Sequence, residues 1–473
     1  MTDKRAPETS VGDGSTHNHW GKDKDLKSTE EHPGSAAADG GRAWYMLGLL
    51  TFCYALAYVD RQLVNLLVDD IRGTYALSDT QISYIIGLGF ALAYLIAAPV
   101  YGRFVDITNR RNLLVVSVVL WSLSTAAFGL VDSYWGLFAA RVGVGISEAG
   151  VLPIAWSLLA DTFSRKKLPT ALSIFASGQK LGSGLSLIAG GLVISFADAV
   201  HIHFPSLRGF ETWQFAFLII GLPGVVIGLL LFTFPEPVRG QLQPATQVRD
   251  YTMRESWAYI WERRRFYGRI YASIGMLGIL VLGLPAWVPA FLIRRHGETS
   301  GEVGLTVGAI FLIFGVAGVL SGPIAVRWFE RRGYVDGTIR ASAWAMMGIF
   351  LFAAAIPFAP GAAGAMAAIA GTTFCFTFPT GIIPSAVQTG TPNRIRGFAG
   401  SLYTFSAQLV GFGVGPTAIA LITDHVFGDS RMVGFSIAIV GCTAAILGGW
   451  LLASAIQPFR EMLAEAESLS PDS

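Results

Sequence analysis

The stretch Gly102-Arg-Phe-Val-Asp106-Ile-Thr-Asn109-Arg110-Arg111 decides how this chain folds. It is short, basic and turn-forming, and it separates two apolar runs, about 79–104 and 111–131. Each run is long enough to cross a bilayer as a helix, which takes about 20 residues. Two such runs joined by a basic loop make a hairpin of membrane-spanning helices. The same length test, carried outward in both directions, gives twelve segments. Those before the middle are about 44–71, 79–104, 111–131, 133–161, 167–198 and 211–235. After a polar stretch come 268–294, 302–328, 336–358, 362–388, 396–424 and 431–457. A membrane β-barrel would instead alternate apolar and polar residues in strands of about ten.

Charge confirms the class. Only 14% of the 473 residues are charged, against roughly a quarter in soluble domains. Of these, 14 fall in residues 1–43, ten in 236–267 and five in 459–473, leaving 37 for the other 383 residues. The expected organisation is therefore a disordered tail over 1–43, six helices over 44–235, a linker over 236–267, six helices over 268–458 and a tail over 459–473. The fold class is an all-α polytopic membrane protein, and a soluble enzyme or nucleic-acid binder is excluded. Cys53, Cys375 and Cys442 lie in apolar runs and read as small core residues.

Short cytoplasmic loops collect Lys and Arg. One side holds Arg103, Arg110 and Arg111, then Arg165 to Lys167, the six arginines from Arg239 to Arg265, Arg327, Arg331 and Arg332, and Arg394 and Arg396. The other holds Arg72, Arg208, Arg294, Arg295 and Arg431, so seventeen stand against five. Both termini and the linker are expected in the cytoplasm, with the protein in a bacterial inner membrane. The two halves also repeat: an offset of 229 sets Arg165 on Arg394, Gln179 on Gln408, Gly182 on Gly411 and Gly184 on Gly413. Paired six-helix repeats are how many secondary transporters frame a midplane site.

Charges inside membrane helices are costly and mark functional positions. The first segment carries Asp60 and Arg61 near its middle, the fourth carries Arg141 and Glu148, and the fifth carries Lys180. Segments seven to twelve have almost nothing comparable. Arg141 and Glu148 are seven residues apart, two turns along one face. Neighbours on a helix do not face each other, so Asp60 and Arg61 need partners elsewhere, and Arg141 and Glu148 are the obvious ones. Protonating Asp60 or Glu148 would free an arginine to bind an anion or repack a helix, which makes a proton-coupling unit; a static packing network is the alternative. Arg61, Lys180, Gln179, Thr377 and Gln408 are the candidates for binding substrate. Lys180 would either meet an anionic head group or snorkel to an interface. The glycines around it, with Gly411, Gly413 and Gly415, are expected to allow close helix packing.

The opening loop resembles the signature loop of the major facilitator superfamily, G-x-x-x-D-R-x-G-R-R, with Ile107 and Asn109 in place of an Arg and a Gly. The resemblance implies a twelve-helix major facilitator fold and a conformational gate made of Gly102, Asp106, Arg110, Arg111 and Asp161. Gly102 would let helices approach, Asp106 would face a helix N-terminus, Arg110 would pair with Asp161, and Asn109 would preserve the turn by tolerating positive φ. The second-half loop, Gly322 to Gly333, has Val326 where the acid would stand, so a weaker latch is expected there. The Asp60-Arg61 pair, the run from Arg141 to Glu148, Asp161-Thr-Phe-Ser-Arg165 and Ala171-Leu-Ser-Ile-Phe175 are similar to the Spinster branch of that superfamily. This resemblance implies a monomeric, proton-linked carrier for an amphipathic, anionic, lipid-like molecule, with no cofactor beyond the proton gradient and no metal.

An importer of organic anions, with Arg61 on the substrate carboxylate, is the rival within transport. A membrane-embedded lipid enzyme is the rival outside it. That enzyme would need a nucleophile or metal cluster, and the seven histidines sit in the N-terminal tail or at loops and helix ends with no metal-binding register.

Overall fold

In the computed structural model, described over residues 40–164, 167–203, 210–238, 253–391 and 395–468, twelve helices are long and apolar enough to cross a membrane. They are α1 (Gly41–Leu66), α2 (Asp79–Val105), α3 (Arg110–Phe128), α4 (Tyr134–Thr162), α5 (Thr170–Ala197) and α6 (Thr212–Thr233). The second set is α7 (Arg264–His296), α8 (Ser300–Glu330), α9 (Gly337–Phe358), α10 (Gly361–Thr389), α11 (Phe398–Phe427) and α12 (Ser430–Ala464). Helix starts follow local chemistry. Ser78 and Thr299 form capping boxes with Gln81 and Glu302, while Asn109 and Ser133 accept from the backbone three residues on. Helix α7 ends at Gly297, whose φ of 73° suits a residue without Cβ.

Three boundaries differ from the sequence reading. The first segment stops at Leu66, and a separate short helix runs over Val68–Tyr75 with Asp69 and Asp70 in its first turn. The linker contains the amphipathic helix Met253–Glu262. The last helix continues to Ser468, so the stretch assigned to a tail from 459 begins as helix.

The two repeats meet through α5 against α8 and α2 against α11. A Cβ on Gly184 would lie 2.9 Å from the Leu312 side chain and 3.1 Å from its backbone, and one on Gly191 would lie 2.8 Å from the Gly301 carbonyl. Only glycine permits this approach. The apolar core is asymmetric along the membrane axis. Leu63, Val64, Leu187 and Ile194 of the first repeat join Trp287, Val303 and Val307 of the second in one buried cluster. Toward the Arg-rich end, Leu47, Leu50, Leu158 and Phe175 close into a cluster formed within the first repeat. The halves thus share a core at one end and keep separate cores at the other.

Candidate substrate and coupling site

Helix packing sets the four buried charges into two crossed pairs. Arg141 donates from Nη1 to Asp60 Oδ2 at 3.1 Å, and Arg61 donates from Nε to Glu148 Oε2 at 2.8 Å, with its Nη2 on the same oxygen. All four residues are buried. The adjacency of Asp60 and Arg61 on α1 makes the crossing: each points to a different level of α4, where partners two turns apart receive them. Arg61 is also enclosed by rings, its guanidinium carbon 4.5 Å from the Phe90 centroid, 4.8 Å from Tyr58 and 5.6 Å from Phe412. Such faces favour a cation when water is excluded. Phe412 belongs to the second repeat, so the Arg61 pocket is completed across the interface between halves.

In this low-dielectric setting each carboxylate and its arginine neutralise one another, and removing either leaves a costly charge. Glu148 Oε1 and Arg141 Nε make no hydrogen bond among the described residues. The network is therefore incompletely satisfied, which leaves capacity for rearrangement when a proton or an anion arrives.

Two adjoining cavities lie beside these pairs, between the repeats. One, of about 40 Å³, is lined by Arg61, Gln62, Asn65 and Arg141 of the first repeat and by Leu282, Pro285 and Phe412 of the second. The other, of about 70 Å³, is lined by Gln179, Ser183, Phe311, Thr373 and Thr377 and shares Tyr58 and Gln62. Gln179 donates to the Tyr58 hydroxyl, and Gln62 accepts from Asn65 at 2.7 Å. Thr377 lines the second cavity, yet its hydroxyl is spent on Thr373 and Phe374 carbonyls of its own helix. Gln408 is half-buried on α11 and lines neither cavity. The Lys180 side chain falls outside the described residues. The remaining space is too small for a lipid-sized molecule, since ligand pockets usually hold 300–1,000 Å³, or roughly ten times this.

At the Arg-rich end, Arg110 is almost wholly buried. It pairs with Asp161, reaches Glu236 Oε1 at 2.8 Å and donates to the Ser157 hydroxyl at 2.9 Å. Glu236 also takes the Arg111 backbone N–H at 2.8 Å. The Arg110–Asp161 pair stands where the sequence reading set it, while Glu236 had been assigned to the linker. The Asp106 side chain lies outside the described residues, as do the side chains of Arg394 and Arg396. Two expectations are corrected. A Cβ on Gly102 would meet nothing within 4 Å among the described residues, so this glycine mediates no helix contact with them. Asn109 has φ of −67° and serves as the N-cap of α3, so its amide chemistry, not tolerance of positive φ, suits it to the position.

The opposite end carries a gate missed in the sequence. Arg294 at the end of α7 reaches Asp69 at 2.7 Å and both oxygens of Asp79 at 2.6 and 2.8 Å. Asp424 of α11 accepts from the backbone and hydroxyl of Thr80 on α2, both at 2.7 Å. These bonds tie the repeats together at the end where their cores merge. A signal existed: Asp69, Asp79, Arg294 and Asp424 all sit at segment ends on the side poorest in charge.

Two six-helix repeats, tied at one end and flanking a charged midplane cavity, define the architecture of an alternating-access transporter. The Major Facilitator Superfamily profile matches residues 50–416, and the chain belongs to that family of membrane transporters. It is 26% identical to the sphingosine-1-phosphate transporter SPNS2 of Xenopus tropicalis over 94% of this chain and 89% of that one. It is 31% identical to an MFS-type efflux pump of Mycolicibacterium smegmatis over 61% of this chain, spanning 64% of the pump's length. A bacterial homologue of the human lysosomal transporter Spinster, solved inward-facing and unoccupied, superposes with a TM-score of 0.75 at 20% identity, covering 91% of this chain and 99% of that one.

Proposed function

We propose that this chain is a secondary active transporter for an amphipathic, anionic, lipid-like molecule, driven by protons through Asp60 and Glu148. The observation that carries the reading is the crossed pair of buried acid–arginine bridges, set beside a cavity that both repeats line. Arg61 is the anion's natural partner, because protonating Glu148 removes its counter-charge while the rings of Tyr58, Phe90 and Phe412 remain around it. Those rings also suit an apolar chain. The likeness to a protein named as a sphingosine-1-phosphate transporter supports the substrate class.

In the cycle, Arg294 and Asp424 hold one face shut while the Arg-rich face admits or releases substrate. The excess of basic residues on that face supports a bacterial inner-membrane orientation with both termini and the linker cytoplasmic. Opening must enlarge the present cavities several-fold before a lipid-sized molecule fits.

The test is flux of a labelled lysolipid or sphingoid phosphate into liposomes under opposed pH gradients. Proton-driven flux is expected to disappear in Asp60→Asn and Glu148→Gln while substrate counterflow persists. Unchanged proton dependence in both variants overturns the coupling assignment. Flux running with the proton rather than against it assigns the chain to symport and to the organic-anion reading.

A further inference from the structure

We propose that the second repeat carries a binding site for an anionic membrane phospholipid, separate from the transport cavity. Each repeat has an apolar groove on its outer face between its second, third and fourth helices, open to the bilayer. In the first repeat it holds about 640 Å³ and in the second about 540 Å³. The offset that superposes the repeats carries Leu92, Ile96 and Val100 of the first groove onto Ser321, Ala325 and Phe329 of the second. The groove is therefore a property of the repeat, and its size is that of a ligand pocket.

The mouths differ in charge. In the first repeat Arg110 and Arg111 are turned inward onto Glu236 and the carbonyls of Ser157 and Phe234. In the second, Arg327, Arg331 and Arg332 are exposed at the end of α8, and Arg332 stacks at 3.4 Å on Trp328, which lines the groove. Asp336, the acid that follows them in the loop, is fully buried and already holds Arg340 and Arg460. Glu330 forms no ion pair with them among the described residues. Exposed Trp344 flanks the groove near the same end, as interfacial tryptophans do. An apolar channel in the bilayer, ending in an aromatic belt and three uncompensated arginines, fits an acyl chain with a phosphate head group at the charged surface. The first repeat leaves one arginine exposed at this end, Arg103, the offset equivalent of Arg332, against three in the second, so its preference for an anionic head group is weaker.

The experiment measures thermal stability and native-mass lipid retention of the purified full chain with phosphatidylglycerol, phosphatidylcholine or soluble glycerol phosphate. Phosphatidylglycerol is expected to raise Tm and stay bound, and the other two are not. Arg331→Gln with Arg332→Gln should weaken its binding about thirtyfold, from about 1 kcal/mol per arginine at a charged bilayer surface and tenfold per 1.4 kcal/mol. Ser321→Phe, which fills the groove, should reduce retention without touching the charges, and the exposed arginine pair decides the matter if that variant fails to fold. Equal stabilisation by phosphatidylcholine, an equal effect of glycerol phosphate, or full retention in the double arginine variant overturns the proposal.

Discussion

The two repeats share a helical plan and divide the chemistry between them. In the first, α1 and α4 bury two acids and two arginines as crossed pairs. In the second, the cavity wall is built from Leu282, Pro285, Phe311, Thr373 and Thr377; it carries no charge among the described residues, and the Thr377 hydroxyl is satisfied within its own helix. Even the gate chemistry is inverted. In the first repeat a buried arginine, Arg110, is held by the acids Asp161 and Glu236; in the second a buried acid, Asp336, is held by Arg340 and Arg460. Duplication keeps what packing requires, and each copy is free to place charge differently as long as every buried charge has a partner.

The comparison breaks most visibly at the charged pairs. Arg141→Ala leaves Asp60 buried without its partner and is expected to cost about 3–5 kcal/mol, read as a large fall in Tm of the detergent-solubilised protein. Asp60→Asn combined with Arg141→Ala should recover a good part of that loss, because no lone charge remains. The counterpart in the second repeat, Thr377→Val, should change stability by no more than about 1 kcal/mol, since its hydroxyl only supplements carbonyls already bonded in the helix. Comparable losses at the two sites would show that the repeats are not energetically divided as described.

Next in size is the tie at the end opposite the Arg-rich one. Arg294→Gln removes the closer of the two arginines on fully buried Asp79, leaving Arg72 at 3.5 Å, and should shift the molecule away from the state with this end closed. Cysteine labelling at the two faces checks it: reactivity should rise near Thr80 and fall at the Arg-rich end. Labelling identical to the parent protein would mean that the merged apolar core alone holds this end shut.

Much of the fold was legible, because the bilayer imposes a length and a polarity that twelve segments satisfy independently. The pairing of Asp60 and Arg61 with Arg141 and Glu148 was legible too, from the rule that buried charges seek partners, although which acid met which arginine depended on helix rotation. Glu236 and Asp69 were not legible as gate residues. They lie at or beyond helix ends, where a charge is ordinary, and only the folding of α6 beside α3 and of α7 beside α1 and α2 turns them into ligands. Gly102 shows the reverse error, since a glycine in a motif invites a packing role that its open surroundings do not require.

The smallest effects test that last distinction directly, using the equivalent glycines of the two repeats. Gly184→Ala places a Cβ within 3.1 Å of the Leu312 backbone, and overpacking of this kind costs about 1–3 kcal/mol. Gly413, its equivalent by the repeat offset, has nothing within 4 Å of an added Cβ among the described residues. Neither does Gly102, which lies inside α2, where alanine is favoured over glycine by up to about 1 kcal/mol. Gly413→Ala should therefore be nearly neutral and Gly102→Ala neutral or slightly stabilising, while Gly184→Ala lowers Tm and slows transport by loosening the α5–α8 contact. The ordering matters more than the sizes. If Gly413→Ala proved as damaging as Gly184→Ala, the second repeat would have to close on Gly413 in another state of the cycle, and the asymmetry between the halves would belong to this conformation and not to the protein.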